Sequence, residues 1–190
     1  MNGHQRQREE SARMIEEALI VLMKEKEFSN ISISEIAMRA DVARRTFYRL
    51  YRKKEDVLYQ YLERLGQEYR KRCTAINKYD FSRIALEYFT FWYSYKSILL
   101  LFHQRGMDKF LYDALGNISR DVIQRRMNGR KEEKKEYFVD YTAGGFLMLL
   151  RRWVEEGMEE VPEVYAQKVY FSLQKFIRPV QEEKRIFRRE

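Results

Sequence analysis

Residues 31–54 read ISISEIAMRADVARRTFYRLYRKK, and this stretch decides the fold. Ser32 stands as an N-cap with Glu35 three residues on, a capping box. Ile31 before the cap and Ile36 at the fourth helical position form a hydrophobic staple. These signals predict a short helix from about Ile33 to Ala40. Its inward residues Ile33, Ile36, Ala37 and Ala40 keep the i, i+3, i+4, i+7 spacing of one face. Asp41 interrupts it, because a tight turn between helices calls for a residue near the left-handed conformation. Gly adopts that conformation most cheaply and Asp or Asn next. A second short helix is predicted from about Ala43 to Leu50. Val42, Phe47 and Leu50 face inward; Arg44, Arg45, Thr46, Tyr48 and Arg49 are left outside. Two short helices about a tight turn make a helix-turn-helix, whose second helix enters the major groove of DNA.

Charge agrees with that reading. Arg39 to Lys54 holds seven Lys or Arg residues and one acid, Asp41. Lys53 and Lys54 open the next helix, the end where the dipole is already positive. Cations there suit a bound phosphate, since helix N-termini take anions. The plainer alternative is a solvated basic loop in a basic chain.

The pattern Ile33-x-x-Ile36-Ala37-x-x-Ala40-x-Val42-x-x-x-Thr46-Phe47-Tyr48-x-x-Tyr51-x-x-Lys54-Glu55-x-Val57-Leu58 resembles the DNA-binding domain of TetR/AcrR-type transcriptional regulators, over about residues 9–60. Three positions depart from the family habit. Asp41 stands where Gly is usual, Ala43 where a Ser cap is usual, and Lys53 where Ser is frequent. The missing cap should weaken the second short helix by about 1 kcal/mol. The basic surface is kept, so the departures bear on operator sequence more than on DNA binding.

Composition sets the outer limits. The chain has 190 residues, 45% of them hydrophobic, with two Pro and eight Gly; these values point to an all-helical protein with a sizeable core. No run is long and apolar enough to span a membrane. The N-terminus lacks the apolar centre of a signal peptide. A single cysteine, Cys73, leaves no internal disulfide framework and fits a reducing cytoplasm. The net charge of +8 favours a polyanionic partner. No catalytic constellation, phosphate loop or metal-ligand cluster is legible, with two histidines far apart, so no enzyme activity, cofactor or metal is expected.

The rest of the chain reads as helices. Residues 1–8 are a polar start with Arg6 and Arg8, either a basic arm or a frayed end. A first helix runs from about Glu9 or Ser11 to Glu27, buried through Met14, Ile15, Ala18, Leu19 and Leu22. Phe28 then packs under the helix-turn-helix. A fourth helix runs from near Lys54 to about Cys73. That is long for a small domain, so it reads as a rigid lever shared by two. We divide the chain within that helix into a helix-turn-helix domain, 1–54, and a helical regulatory and dimerisation domain, 55–190. About nine helices are expected in all.

Residues 80–103 are the most aromatic part. A break is expected near Tyr95-Lys96-Ser97, with Ser97 capping a helix to about His103. Most of these rings are core, and a subset is a candidate ligand wall: Tyr88, Trp92, Tyr95 and His103. His103 reads equally as a polar core residue. A helix from Phe110 to near Met127 follows, then a charged surface loop at 128–136. The last two helices run from about Lys134 to Glu156 and from Pro162 to before Pro179, ahead of a charged tail. Gly144 and Gly145 in the first of them are tolerable where another backbone packs closely.

The pattern Leu149-x-x-x-Trp153-x-x-x-Gly157 followed by Val161-Pro162-Glu163 is similar to the C-terminal half of several TetR-type regulators. The resemblance implies that the last two helices pair with those of a second subunit, through Tyr141, Gly145, Leu149, Trp153, Tyr165, Val169 and Leu173. An internal hairpin in a monomer is the alternative. The resemblance further implies a bacterial homodimeric repressor, released from a palindromic double-stranded DNA operator by a small-molecule effector. On that reading Arg44 and Arg45 reach base edges, Thr46, Tyr48 and Lys54 hold phosphates, and Arg49, Arg52 and Lys53 add salt-dependent attraction. The rival is a second domain that binds a protein partner or only dimerises, with no effector.

Overall fold

The computed structural model describes residues 3–74, 81–127 and 135–182, with side chains through Gln174. Residues 128–134 of the expected charged loop at 128–136, and residues 183–190 of the charged tail, lie outside what is described. Among the described residues there are nine α-helices and no strand: α1 (Gly3–Glu25), α2 (Ile33–Arg39), α3 (Arg44–Leu50), α4 (Lys54–Thr74), α5 (Phe81–Tyr93), α6 (Lys96–Gln104), α7 (Asp108–Met127), α8 (Lys135–Glu155) and α9 (Pro162–Glu182). No described helix is long and apolar enough to cross a membrane.

The first three helices close on one small core. Ile15, Leu19 and Met23 of α1 meet Ile36, Phe47 and the N-terminal Val57 and Leu58 of α4, each at 1% exposure or less. α1 starts at Gly3 rather than near Glu9. Residues 3–10 are all exposed and have no buried face. Extending an existing helix is cheap where starting one is not, and Gln5 hydrogen-bonds Glu9 along the surface.

The lever α4 crosses from this core to the second. It packs on α1, α5 and α7. Gly66 is required by the crossing: a Cβ there would lie 2.8 Å from Cγ1 of Ile118 on α7. In the second unit α9 packs along α5 and α8 along α7. Their core holds Trp92, Phe89, Phe91, Phe102 and Trp153, each 1% exposed or less.

The two units touch away from α4 as well. Arg105, in the α6–α7 turn, clasps the end of α1. Its Nε donates to the Met23 carbonyl (2.6 Å), Nη2 to the Lys24 carbonyl (2.8 Å) and Nη1 to Glu27 (2.9 Å). Gly106, with φ +64°, makes the turn that presents it.

Of three further boundaries, those of α6 and α9 differ from the sequence expectation and that of α8 agrees with it. α6 is capped at Tyr95, not Ser97: the amides of Ile98 and Leu99 donate to the Tyr95 carbonyl, and Lys96 is anchored on the Met158 carbonyl at 2.7 Å. α8 closes at Glu155, and Gly157 and Met158 both take positive φ in the turn that follows. α9 passes through Pro179 to Glu182; a proline forfeits one helical hydrogen bond without ending this helix.

Candidate nucleic-acid interface

The reading helix is set by local chemistry on both sides of the turn. The Ser32 hydroxyl accepts from the Glu35 amide (3.2 Å), and the Glu35 carboxylate accepts from the Ser32 amide (2.9 Å), so the capping box is complete. The second carboxylate oxygen of Glu35 binds Lys26. Lys26 and the two Ser32 donors hold the Glu35 carboxyl down to about 2. α2 ends in a Schellman turn: the Val42 amide reaches the Ala37 carbonyl (3.0 Å) and the Asp41 amide the Met38 carbonyl (3.2 Å). Asp41 sits at φ +51°, the conformation its place in the sequence predicts.

α3 starts without a side-chain cap at Ala43. Phe47 anchors it, fully buried with its ring 5.6 Å from that of Tyr51. With Phe47 turned in, Arg44, Arg45, Tyr48 and Arg49 are exposed and Thr46 is half-buried. Arg52 and Lys53 are exposed just beyond. Arg44, Arg45, Arg49, Arg52 and Lys53 pair with no acid among the described residues. That leaves five cations and a phenol on one unpartnered surface.

Two cations of the stretch are spent inside the protein. Arg39 binds both oxygens of Glu25 at 2.7 Å. Lys54 is held more fully. Its ammonium donates to the carbonyls of Phe28 (2.6 Å), Ser29 (3.1 Å) and Ile31 (2.8 Å), and sits 4.5 Å from the centre of the Phe28 ring. All three N–H groups are used, so Lys54 ties α4 to the turn before α2 and has no donor left for a phosphate. The N-terminus of α4 is also partly filled from within, because the Asp56 carboxylate accepts from the Arg52 and Lys53 amides (3.0 and 3.1 Å).

In the second unit Tyr88 and Trp92 come together in the core, ring centres 6.4 Å apart. Neither the Tyr88 hydroxyl nor the Trp92 Nε1 has a hydrogen-bond partner among the described residues. Tyr95 turns instead to Glu68 (2.7 Å). Burial and that carboxylate push its hydroxyl up to about 12. His103 is half-buried rather than core, with Nδ1 2.9 Å from Asp108 at the α6–α7 corner. Sequence reading missed Tyr112, Ser119 and Arg126: the hydroxyls of the first two and the Nε and Nη1 of Arg126 are also buried without a partner among the described residues. Their equal seven-residue spacing was the available signal. Among the described residues no three of His, Cys, Asp and Glu converge as a metal site.

The expected dimer set divides in two. Trp153, Tyr165 and Val169 are 1%, 7% and 7% exposed and belong to the protomer core, where the Trp153 and Tyr165 rings stack at 4.7 Å. Tyr141 and Gly145 are exposed, and Leu149 and Leu173 half-buried.

Residues 15–60 match the family described as bacterial regulatory proteins, tetR family. Residues 79–175, half of the chain, match the family described as transcriptional regulator C-terminal region, of the same class. The chain belongs to the TetR family. Among solved structures this TetR-family regulator is similar to the dihydroxyacetone kinase operon activator DhaS. The TM-score is 0.62 and the identity 18%, over 87% of this chain and 95% of that one, a likeness of fold. No curated protein matches the chain. In this TetR-family regulator the match over residues 15–60 takes in both short helices, α2 and α3.

Proposed function

We propose that the chain is a homodimeric repressor that leaves a palindromic operator when a small molecule enters its second domain. The observation that carries the DNA half is the unpartnered cationic face of α3, held outward by buried Phe47. Arg44 and Arg45 read base edges, since an arginine can bridge two acceptors of guanine. Thr46 and Tyr48 fix the register on phosphates. Arg49, Arg52 and Lys53 supply the salt-dependent attraction. The division between reading and regulatory domains falls within α4. The protein works in the cytoplasm, on the DNA itself, and has no catalysis of its own.

The dimer rests on the outer face of α8 and α9. Phe138, Tyr141 and Met148 on α8 and Val164 and Phe171 on α9 are 42–80% exposed, an apolar face that a second copy would cover. Gly144 and Gly145 lie on it, and a Cβ at either would meet nothing within 4 Å. Inside the protomer neither has a reason to be glycine; close approach of a second helix supplies one. Effector control, rather than a merely dimerising domain, is favoured by the buried donors without acceptors around Tyr88 and Trp92.

Selection of bound duplexes from a random pool, repeated over a range of salt, tests the proposal. A palindrome with a steep salt slope is the expected outcome. A single half-site, or no enriched sequence at any salt, would count against it.

A further inference from the structure

Three residues of the second domain with buried polar atoms that lack a partner among the described residues lie along one face of α7. Tyr112, Ser119 and Arg126 are each seven residues apart, two turns of helix. The hydroxyls of Tyr112 and Ser119 and the Nε and Nη1 of Arg126 are buried with no hydrogen-bond partner. Tyr88 on α5 brings its hydroxyl beside that of Ser119. Buried donors without acceptors are costly, and charged ones most of all.

Arg126 also stands in the wall of a cleft of about 620 Å³ between the C-terminal turns of α4 and α7. Arg70, Lys71, Cys73, Val122 and Arg125 share that wall, and no acid stands among its described lining residues. Asp121, just behind it, pairs with both Arg70 and Arg125, and Glu63 takes the other end of Arg70. Lys71 and Arg126 have no carboxylate among the described residues; Arg126 Nη2 donates to the Cys73 carbonyl at 2.6 Å and lies beside the Cys73 thiol. The negative ends of two helices account for cations here. They do not account for a half-buried arginine whose Nε and Nη1 find no hydrogen-bond partner among the described residues.

We infer that this cleft is the effector site, and that the effector is a carboxylate on an apolar body with Arg126 as its counter-charge. The inference rests on the reading of the chain as an effector-controlled regulator. A carboxylate brings two acceptor oxygens to the idle N–H groups of Arg126, while Val122 and the aliphatic stems of the basic side chains receive the apolar part. The cleft is built on the far end of α4, the helix whose first turns belong to the reading head, so filling it acts on the lever directly.

The test is titration calorimetry and thermal melting of the full chain with octanoate and with 1-octanol, which share a body and differ in charge. Octanoate should bind and raise Tm, and octanol should do so at least about tenfold less well. R126Q should lose octanoate binding by a similar factor, and R126K, which keeps the charge, should retain part of it. Cys73 gives a readout without substitution: octanoate should slow its alkylation in the unaltered chain, and octanol should not. Equal binding of the two probes, undiminished binding by R126Q, unchanged alkylation, or no octanoate binding at millimolar concentration would each overturn the inference. Operator binding is measured on the same preparation without probe. Its failure would sink the DNA-regulator reading and leave the cleft result standing; its success with no octanoate binding would sink the cleft alone.

Discussion

At the scale of single residues, Lys53 and Lys54 separate two roles that adjacent lysines usually blur. Lys53 is exposed, whereas the Lys54 ammonium is fully occupied by three carbonyls. K53Q should therefore lower the salt dependence of DNA binding by about one unit of slope and leave Tm unchanged. K54M should lower stability by about 1.5–3 kcal/mol, the worth of charged hydrogen bonds, with operator sequence preference retained; chemical denaturation and site selection distinguish them. A43S should raise stability by about 1 kcal/mol by capping α3. Glu35 predicts a pH response. Its carboxyl is lowered to about 2 when folded against about 4.3 unfolded. Its contribution is thus complete above about pH 5 and fades as pH falls toward 2, and E35Q should lose that part of the acid sensitivity in melts across this window. The turn at Asp41 and the box at Ser32 were legible in the sequence because they involve neighbours. The role of Lys54 was not: its acceptors are 23 to 26 residues away, and nothing local marks a lysine as internal.

At the scale of elements, legibility depended on how many faces of a helix are buried. α2 and α3 each bury one narrow face, and their periodicity located them. α8 has apolar residues on two sides, one against the protomer core and one outward. Steps of four residues drift by about 40° each at 3.6 residues per turn. The run Tyr141, Gly145, Leu149, Trp153 therefore turns by about 120°, beginning on the exposed face and ending in the core. That drift explains why Trp153, at the end of the run, is buried in the protomer. On α9 the stripe Tyr165, Val169, Leu173 lies on the side that packs toward the protomer, and Tyr165 reaches the Leu149 carbonyl at 2.8 Å. If the outer faces meet in a dimer, G145L should convert it to monomer without loss of helix, as read by sedimentation and circular dichroism. Retention of the dimer would mean that α8 does not approach its copy there. At the α4–α7 crossing, G66A forces a methyl against Ile118 and should cost about 1–3 kcal/mol.

At the scale of the whole molecule, the reading head and the second unit are joined among the described residues through the continuous α4, through Glu16 and Arg64 at 2.6 Å midway along it, and through the clasp of Arg105. R105Q should leave α8 and α9 as protected from hydrogen exchange as before. It should speed exchange at the end of α1 and the Phe28–Asn30 turn by about tenfold, the scale of one local opening of about 1.4 kcal/mol. Equal protection throughout would mean the clasp transmits nothing. The chemistry of that clasp has a bearing on how such a protein can change its target. Two of its three acceptors are main-chain carbonyls, which any amino acid provides; only Glu27 is a matter of side chain. A foreign reading head would be gripped almost as well, provided its first helix stops at the same place. The joint thus recognises where a helix ends rather than what it is made of, and a lineage could exchange one operator for another without relearning how the signal crosses.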